Sequence, residues 1–237
     1  MKDFFQAVIT ANKEIIELLE NGSSEEFHQS ISLGAGGDIS SKIDLLAEEI
    51  FIKHLSRFGN IYSEECGFVD NKKSDDIIID PIDGSDNFAS NLPYYGTSVA
   101  LKRDGKCIAA VVVNLANGEL FIKDESRFER THIGKSQFKN VEKNRYSKLG
   151  LFERTYCSKG TPELMRRYGI KYRSPGAFAL SLAYAHDVDF VLYEGKMREY
   201  DIAAGLYMCE DLHVEKTDDF LLVSQNKEIF DKILQFI

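Results

Sequence analysis

The passage that most constrains this chain is Asp76-Ile77-Ile78-Ile79-Asp80-Pro81-Ile82-Asp83-Gly84-Ser85. Its apolar run reads as a buried strand that delivers its last residue to a loop. Two carboxylates then stand at the edge of a core, where charge is costly unless it is paired or bound to metal. Proline and glycine hold the backbone there out of regular structure. Both carboxylates, and the Ile82 carbonyl, can therefore turn toward one point. Hard oxygen ligands of this kind suit Mg²⁺. The same five letters also make an ordinary turn, because Asp, Pro and Gly are all turn formers. The buried strand in front of them favours a site.

The remaining patterns indicate a mixed α/β chain of layered α+β type. Residues 3–20 have the apolar spacing of an amphipathic helix ending near Asn21-Gly22. A polar, glycine-rich stretch, Gly34 to Asp38, leads into a helix expected over 39–58, with Ser40 or Ser41 as its cap. Residues 96–101 and 107–114 read as strands joined by Arg103-Asp104-Gly105, and Asn117-Gly118 signals a hairpin to Leu120-Phe121-Ile122. Residues 123–150 are too polar to assign. Further on, strands are expected at 152–157, 189–194 and 220–223. Helices are expected at 161–168, 178–186, 201–210 and 227–236.

The 237 residues suit one catalytic domain, divisible into subdomains of about 1–145 and 146–237. The formal charge of −9 argues against a general nucleic-acid binder, and an acidic protein needs metal ions to receive an anionic substrate. Cys66, Cys107, Cys157 and Cys209 show no CxxC spacing, so free thiols in a reducing compartment are expected. No apolar run approaches the roughly 20 residues of a membrane span, and the start of the chain lacks a leader pattern. These features point to the cytoplasm. The five histidines have no ligand spacing.

The stretch Asp80-Pro-Ile-Asp-Gly-Ser-Asp-Asn-Phe88 resembles the first signature of the inositol monophosphatase family. Three more matches follow the family's order. Gly37-Asp38 with Asp44 is similar to its Asp-x5-Asp segment. Ser63-Glu64-Glu65 is similar to its Gly-Glu-Glu element. Tyr200-Asp201-Ile202-Ala203-Ala204-Gly205 is similar to its second signature, with tyrosine for the usual tryptophan. Together they span about residues 35 to 205.

The resemblance implies an αβαβα sandwich of the inositol monophosphatase/fructose-1,6-bisphosphatase type and a Mg²⁺-dependent, lithium-sensitive phosphatase, commonly a homodimer. It implies metal ligation by Glu64, Asp80, the Ile82 carbonyl, Asp83 and Asp201, around two or three Mg²⁺ ions. Such ions neutralise the carboxylates, lower the pKa of a bound water and stabilise the leaving group. Asp44, Glu64 and Ser85 are the implied catalytic residues. Ser85 would hold the attacking water and Asp44 would orient the Ser85 hydroxyl. Serine here replaces the usual threonine.

On the substrate side, Asp83, Gly84, Ser85, Gly176, Ala177 and Glu194 match positions that hold the phosphate or line the ring, and Ser158 is a weaker candidate. Arg198 suggests a group for a second phosphate, gripped in bidentate fashion. The expected substrate is a small phosphorylated metabolite, inositol monophosphate-like. Fructose 1,6-bisphosphate, histidinol phosphate and 3′-phosphonucleotides or NADP are the alternatives within the family. Asp86-Asn87-Phe88 resembles the inositol branch more than the nucleotidase branch. A binding or regulatory protein on the same fold is the alternative of another class. It would have no need to keep every carboxylate.

Overall fold

A computed structural model describes residues 1–22, 24–27, 30–35 and 39–237. In chain order the elements are α1 (Lys2–Asn21), α2 (Ser24–Phe27), β1 (Ser30–Leu33), β2 (Ile39–Ser41), α3 (Lys42–Leu55), β3 (Asn60–Ser63), β4 (Gly67–Val69), β5 (Asp76–Asp83) and α4 (Ser85–Ala89). There follow β6 (Gly96–Arg103), β7 (Lys106–Asn114), β8 (Glu119–Asp124), β9 (Arg127–His132), β10 (Lys139–Asn140) and β11 (Gly150–Glu153). The rest are α5 (Thr161–Arg167), β12 (Tyr172–Arg173), α6 (Phe178–Ala183), β13 (Phe190–Glu194), α7 (Glu199–Met208), β14 (His213–Lys216), β15 (Phe220–Ser224) and α8 (Lys227–Leu234).

Two sheets carry the fold. One has eight strands in the order β10-β9-β8-β7-β6-β5-β3-β4, and the other has five in the order β12-β11-β13-β15-β14. Side-chain alternation along β5 fixes the layers. Ile77 and Ile79 point to a core shared with Val8 and Ile15 of α1 and with Ile43, Ala47 and Phe51 of α3. Ile78 points the other way, to Leu180 and Ala183 of α6 and Ala204 and Met208 of α7. The opposite sides of α6 and α7 bury Leu182 and Ile202 against Leu151, Val191 and Val223 of the second sheet. Phe152, Phe190 and Leu222 face outward onto Met165 of α5 and Phe230 and Ile233 of α8. The layers therefore run α, β, α, β, α, as the resemblance implies.

Gly205 marks how tightly the middle layer packs. A Cβ there would stand 2.4 Å from the Leu182 Cβ, so the last residue of the Tyr200–Gly205 signature sets the contact of α7 with α6.

Three local expectations differ from the structure. Ile39–Ser41 pairs with β1 as a strand instead of opening the helix, which starts at Lys42 behind the Ser41 cap. The polar 123–150 segment holds β9 and β10, the edge of the larger sheet. The strand expected at 152–157 lies earlier, at β11, and gives way to a short 3₁₀ turn over Thr155–Cys157.

Candidate metal centre

β5 does not stop at Asp80. It pairs with β6 through Asp80↔Ser98 and again at Asp83↔Gly96, so one extra residue lies on β5 between those two pairs. A regular strand would send Asp80 and Asp83 to opposite faces. The bulge returns Asp83 to the face of Asp80, toward the middle helices. Pro81, which lacks an N–H, is tolerated at such a break. The Ile82 side chain is buried in the opposite core, against α1 and α3. Gly84 ends the strand with φ +89° and is the cap of α4.

Three carboxylates meet beside this bulge. Oxygens of Glu64, just past β3, of Asp80 and of Asp201, in the first turn of α7, lie within 4.8 Å of one another. Asp80 is buried, and its Oδ1 has no hydrogen-bond partner among the described residues. Burial, followed by the charges of Asp83, Glu64, Asp201 and Asp44, raises the Asp80 pKa well above the ordinary carboxylate value. A buried oxygen without a partner, inside a cluster of like charges, is the environment a divalent cation relieves. The all-oxygen donor set fits a hard ion such as Mg²⁺.

Asp83 lies beside this trio, its charge acting on Asp80, but it is not among the three whose oxygens converge. Its Oδ2 accepts the Leu180 N–H at 2.8 Å, and the Phe178 N–H also bonds to it. The expected convergence of all four carboxylates thus divides, because the first turn of α6 has backbone donors to satisfy. Burial still raises the Asp83 pKa well above its ordinary value.

Asp44 also differs from expectation. Its Oδ2 accepts the Ser41 N–H at 2.8 Å and the Ser41 hydroxyl at 2.6 Å, forming the capping box of α3. Among the described residues it has no hydrogen bond to Ser85, which is exposed at the start of α4. A carboxylate three residues into its own helix finds the nearer hydroxyl. Asp38, paired with Asp44 in the sequence reading, lies outside the described residues, as do Gly37 and His28.

Arg198 is the largest departure. It is the N-cap residue of α7, and its guanidinium turns onto the acids. Nη2 lies 2.8 Å from Glu64 Oε1, and Nε lies 3.2 Å from Asp201 Oδ2. The same Asp201 oxygen accepts the Arg198 N–H at 3.2 Å. The side chain sequence reasoning assigned to a second substrate phosphate is here a counter-ion of the candidate metal ligands.

The ring-facing candidates form a separate wall. Glu194, at the end of β13, accepts the Ser158 hydroxyl and the Thr161 hydroxyl, the latter at 2.5 Å. Gly176 and Ala177 crowd Gly84. A Cβ on Gly84 would lie 2.9 Å from Ala177 Cβ, 3.1 Å from the Tyr94 carbonyl and 3.2 Å from the Gly176 carbonyl. Gly84→Ala is therefore expected to cost about 2–3 kcal/mol, from left-handed backbone strain plus these contacts. Thermal unfolding of the variant beside the parent checks this.

Two residues that sequence reasoning missed hold that wall. Asn87 Nδ2 donates to the carbonyls of Tyr94 at 2.7 Å and Pro175 at 2.6 Å. Glu153, at the end of β11, is 1% exposed. Its Oε2 accepts the Gly176 N–H at 2.9 Å, its Oε1 accepts the Ser181 hydroxyl, and the Ala177 N–H bonds to it as well. A glutamate in an apolar strand run, Leu151-Phe152-Glu153, is the signal that could have revealed it, since buried charge needs partners. His54 and His186 pair instead with Glu14 and Asp211. A groove of about 500 Å³ lined by Lys102, Cys107, Ile202, Leu206 and Tyr207 shares no residue with the acidic cluster.

The sequence profile described as the inositol monophosphatase family matches residues 1–212. The chain belongs to the inositol monophosphatase family. Family membership makes it a phosphatase and leaves its substrate open. The chain is 29% identical to a fructose-1,6-bisphosphatase of Pyrococcus furiosus, over 76% of this chain and 70% of that one. It is 31% identical to an inositol-1-monophosphatase of Mesorhizobium japonicum, over 76% of this chain and 72% of that one. Its fold is similar to that of the extragenic suppressor protein suhB from Bartonella henselae, with a TM-score of 0.79, 22% identity, and 99% of this chain and 96% of that chain covered. No helix among the described residues is long and apolar enough to cross a membrane.

Proposed function

We propose that this family member is a Mg²⁺-dependent phosphomonoesterase acting on a small, inositol monophosphate-like metabolite. The convergence of Glu64, Asp80 and Asp201, with the Asp80 Oδ1 unbonded among the described residues, carries this reading. These three carboxylates would hold the metal, with the Ile82 carbonyl and Asp83 as further ligands. Bound there, the ions would supply positive charge for the phosphate and a water of lowered pKa.

The protein's own groups do the rest. The N–H groups of Gly84 and Ser85 receive phosphate oxygens, and the Ser85 hydroxyl orients the water. Glu194 faces substrate hydroxyls, with Ser158 and Thr161 fixing its carboxylate. Asp44 steadies the Ser41 end of α3 rather than Ser85. A purely binding protein would have no reason to keep this carboxylate set together.

A second reading, that bisphosphates are accepted, requires Arg198 to leave Glu64 and Asp201 and turn its guanidinium to a second phosphate. Some relatives are named fructose-1,6-bisphosphatase.

The test is phosphate release from a panel of inositol monophosphate, fructose 1,6-bisphosphate, histidinol phosphate, 3′-phosphoadenosine phosphates and NADP, with Mg²⁺, with EDTA and with added Li⁺. Release that requires Mg²⁺ and falls with Li⁺ is expected. No Mg²⁺-dependent release from any member would overturn the enzyme reading. Unchanged relative kcat/KM for bisphosphate and monophosphate in Arg198→Ala would remove the second reading.

A further inference from the structure

The Arg198 contacts pose a conflict that the metal reading must resolve. Glu64 Oε1 lies 2.8 Å from the guanidinium and Asp201 Oδ2 lies 3.2 Å from it, and both residues belong to the trio that closes around one point. A carboxylate oxygen committed to a guanidinium is not available to an ion on the same lone pairs. Divalent cations placed among these acids would also repel the guanidinium at short range.

The surroundings give Arg198 a way out. Its side chain is 38% exposed, so it is not locked into the interior. The guanidinium carbon already lies 5.0 Å from the centre of the Tyr200 ring, a face that can keep a cation after its carboxylates are withdrawn. The backbone N–H of Arg198 still caps α7 through Asp201, so the residue's main chain can stay while its side chain moves.

We propose that Arg198 is a displaceable counter-ion of the metal centre. Its guanidinium holds Glu64 and Asp201 together in the metal-free protein and yields them when divalent cations bind. The idea rests on the metal reading above. It assigns this side chain a competing role toward the metal, distinct from any contact with substrate. An arginine suits the task better than a lysine, because its fork can grip two carboxylates at once.

The test is calorimetric titration of Mg²⁺, and separately Mn²⁺, into the EDTA-stripped full chain, with no substrate present. Parent, Arg198→Met and Arg198→Lys are compared, with the melting temperature of each stripped protein. Arg198→Met is expected to bind metal about tenfold more tightly, since a bridging ion pair no longer has to be broken. Its stripped form is expected to melt several degrees lower, from unrelieved repulsion among the acids. Arg198→Lys should fall between, near threefold tighter, and it keeps the test open if the methionine variant does not fold. Metal affinity that is unchanged or weaker in both variants would overturn the proposal, as would an unaltered melting temperature of the stripped protein. Binding by the parent with no change in the variants sinks this inference alone. No binding by any of the three sinks the metal reading with it.

Discussion

Asp80→Asn is expected to lower Mg²⁺-dependent phosphate release by about 10³-fold or more and, at the same time, to raise the melting temperature of the metal-stripped protein. The two effects have opposite signs because one carboxylate serves two states. With metal bound as proposed, Asp80 would be one of the three carboxylates holding it, and its loss should exceed the 10–100-fold typical of residues standing behind a ligand. Without metal, Asp80 is 3% exposed, its Oδ1 has no hydrogen-bond partner among the described residues, and Glu64, Asp83 and Asp201 surround it with like charge.

The pH dependence follows from the same cause. Burial first, and neighbouring charge second, raise the Asp80 pKa in the folded protein above its unfolded value. Stability from this group is therefore full below the ordinary carboxylate value and is lost as pH rises through the shifted one. The stripped parent should gain stability as the pH falls through the raised Asp80 pKa toward the ordinary carboxylate value, and Asp80→Asn should flatten that slope. At neutral pH an upward shift of roughly 2–4 °C corresponds to about 1 kcal/mol for a chain of this size. Saturating Mg²⁺ should reverse the order, because only the parent gains the full binding term. Thermal unfolding in EDTA and in Mg²⁺ reads all of this. A stripped variant that melts below the parent would show that Asp80 is held by bonds rather than strained by charge.

Much of the architecture is legible in the sequence because local pattern decides it. Ile77, Ile78 and Ile79 read as a buried strand, and their alternation separates the two cores it serves. Arg103-Asp104-Gly105 reads as a turn, and Asp104 and Gly105 both adopt positive φ. What pairing at a distance decides is not legible. Pro81 reads as a strand breaker, yet β6 keeps the chain in the sheet as far as Asp83, and the resulting bulge orients two acids. Ile39 reads as helical, yet β1 claims it.

The site divides along the same line. Glu64, Asp80 and Asp201 are brought together from the turn after β3, from β5 and from α7, and a linear motif marks each of them. The partners of Asp44 and Arg198 depend on which of several nearby groups a side chain reaches. For Asp44 it is Ser41, and for Arg198 it is the acids themselves. Glu153 belongs to no motif. Its importance comes from the approach of Gly176, 23 residues away in sequence.

Glu153→Ala is the variant that tests that approach, and it is expected to damage stability and catalysis together. Three donors converge on this carboxylate: the N–H groups of Gly176 and Ala177 and the Ser181 hydroxyl. Ser181 in turn lies 3.1 Å from the Tyr94 hydroxyl, so the network reaches the segment that confines Gly84. Two of the donors are backbone groups, and one of them, that of Ala177, belongs to a buried residue. Leaving all three without an acceptor costs about 1 kcal/mol each, or roughly 3 kcal/mol and 6–12 °C in melting temperature.

One term opposes this loss. Burial raises the Glu153 pKa, so its ionised form is itself costly, and stability from the group falls as pH rises through the shifted value. Glu153→Gln separates the two effects. It removes the charge and keeps one acceptor oxygen, so it should lose less than half as much stability and flatten the acid-side slope. In catalysis, freeing Gly176-Ala177 releases the wall that presses on Gly84, and a displacement near 1 Å at a reacting group can cost about 10²-fold. Glu153→Ala should therefore lower kcat/KM by about 10- to 100-fold when assayed well below its melting temperature. A variant with the parent's melting temperature and kcat/KM within about twofold of the parent's would mean that Asp83 and Asn87 hold the wall without Glu153.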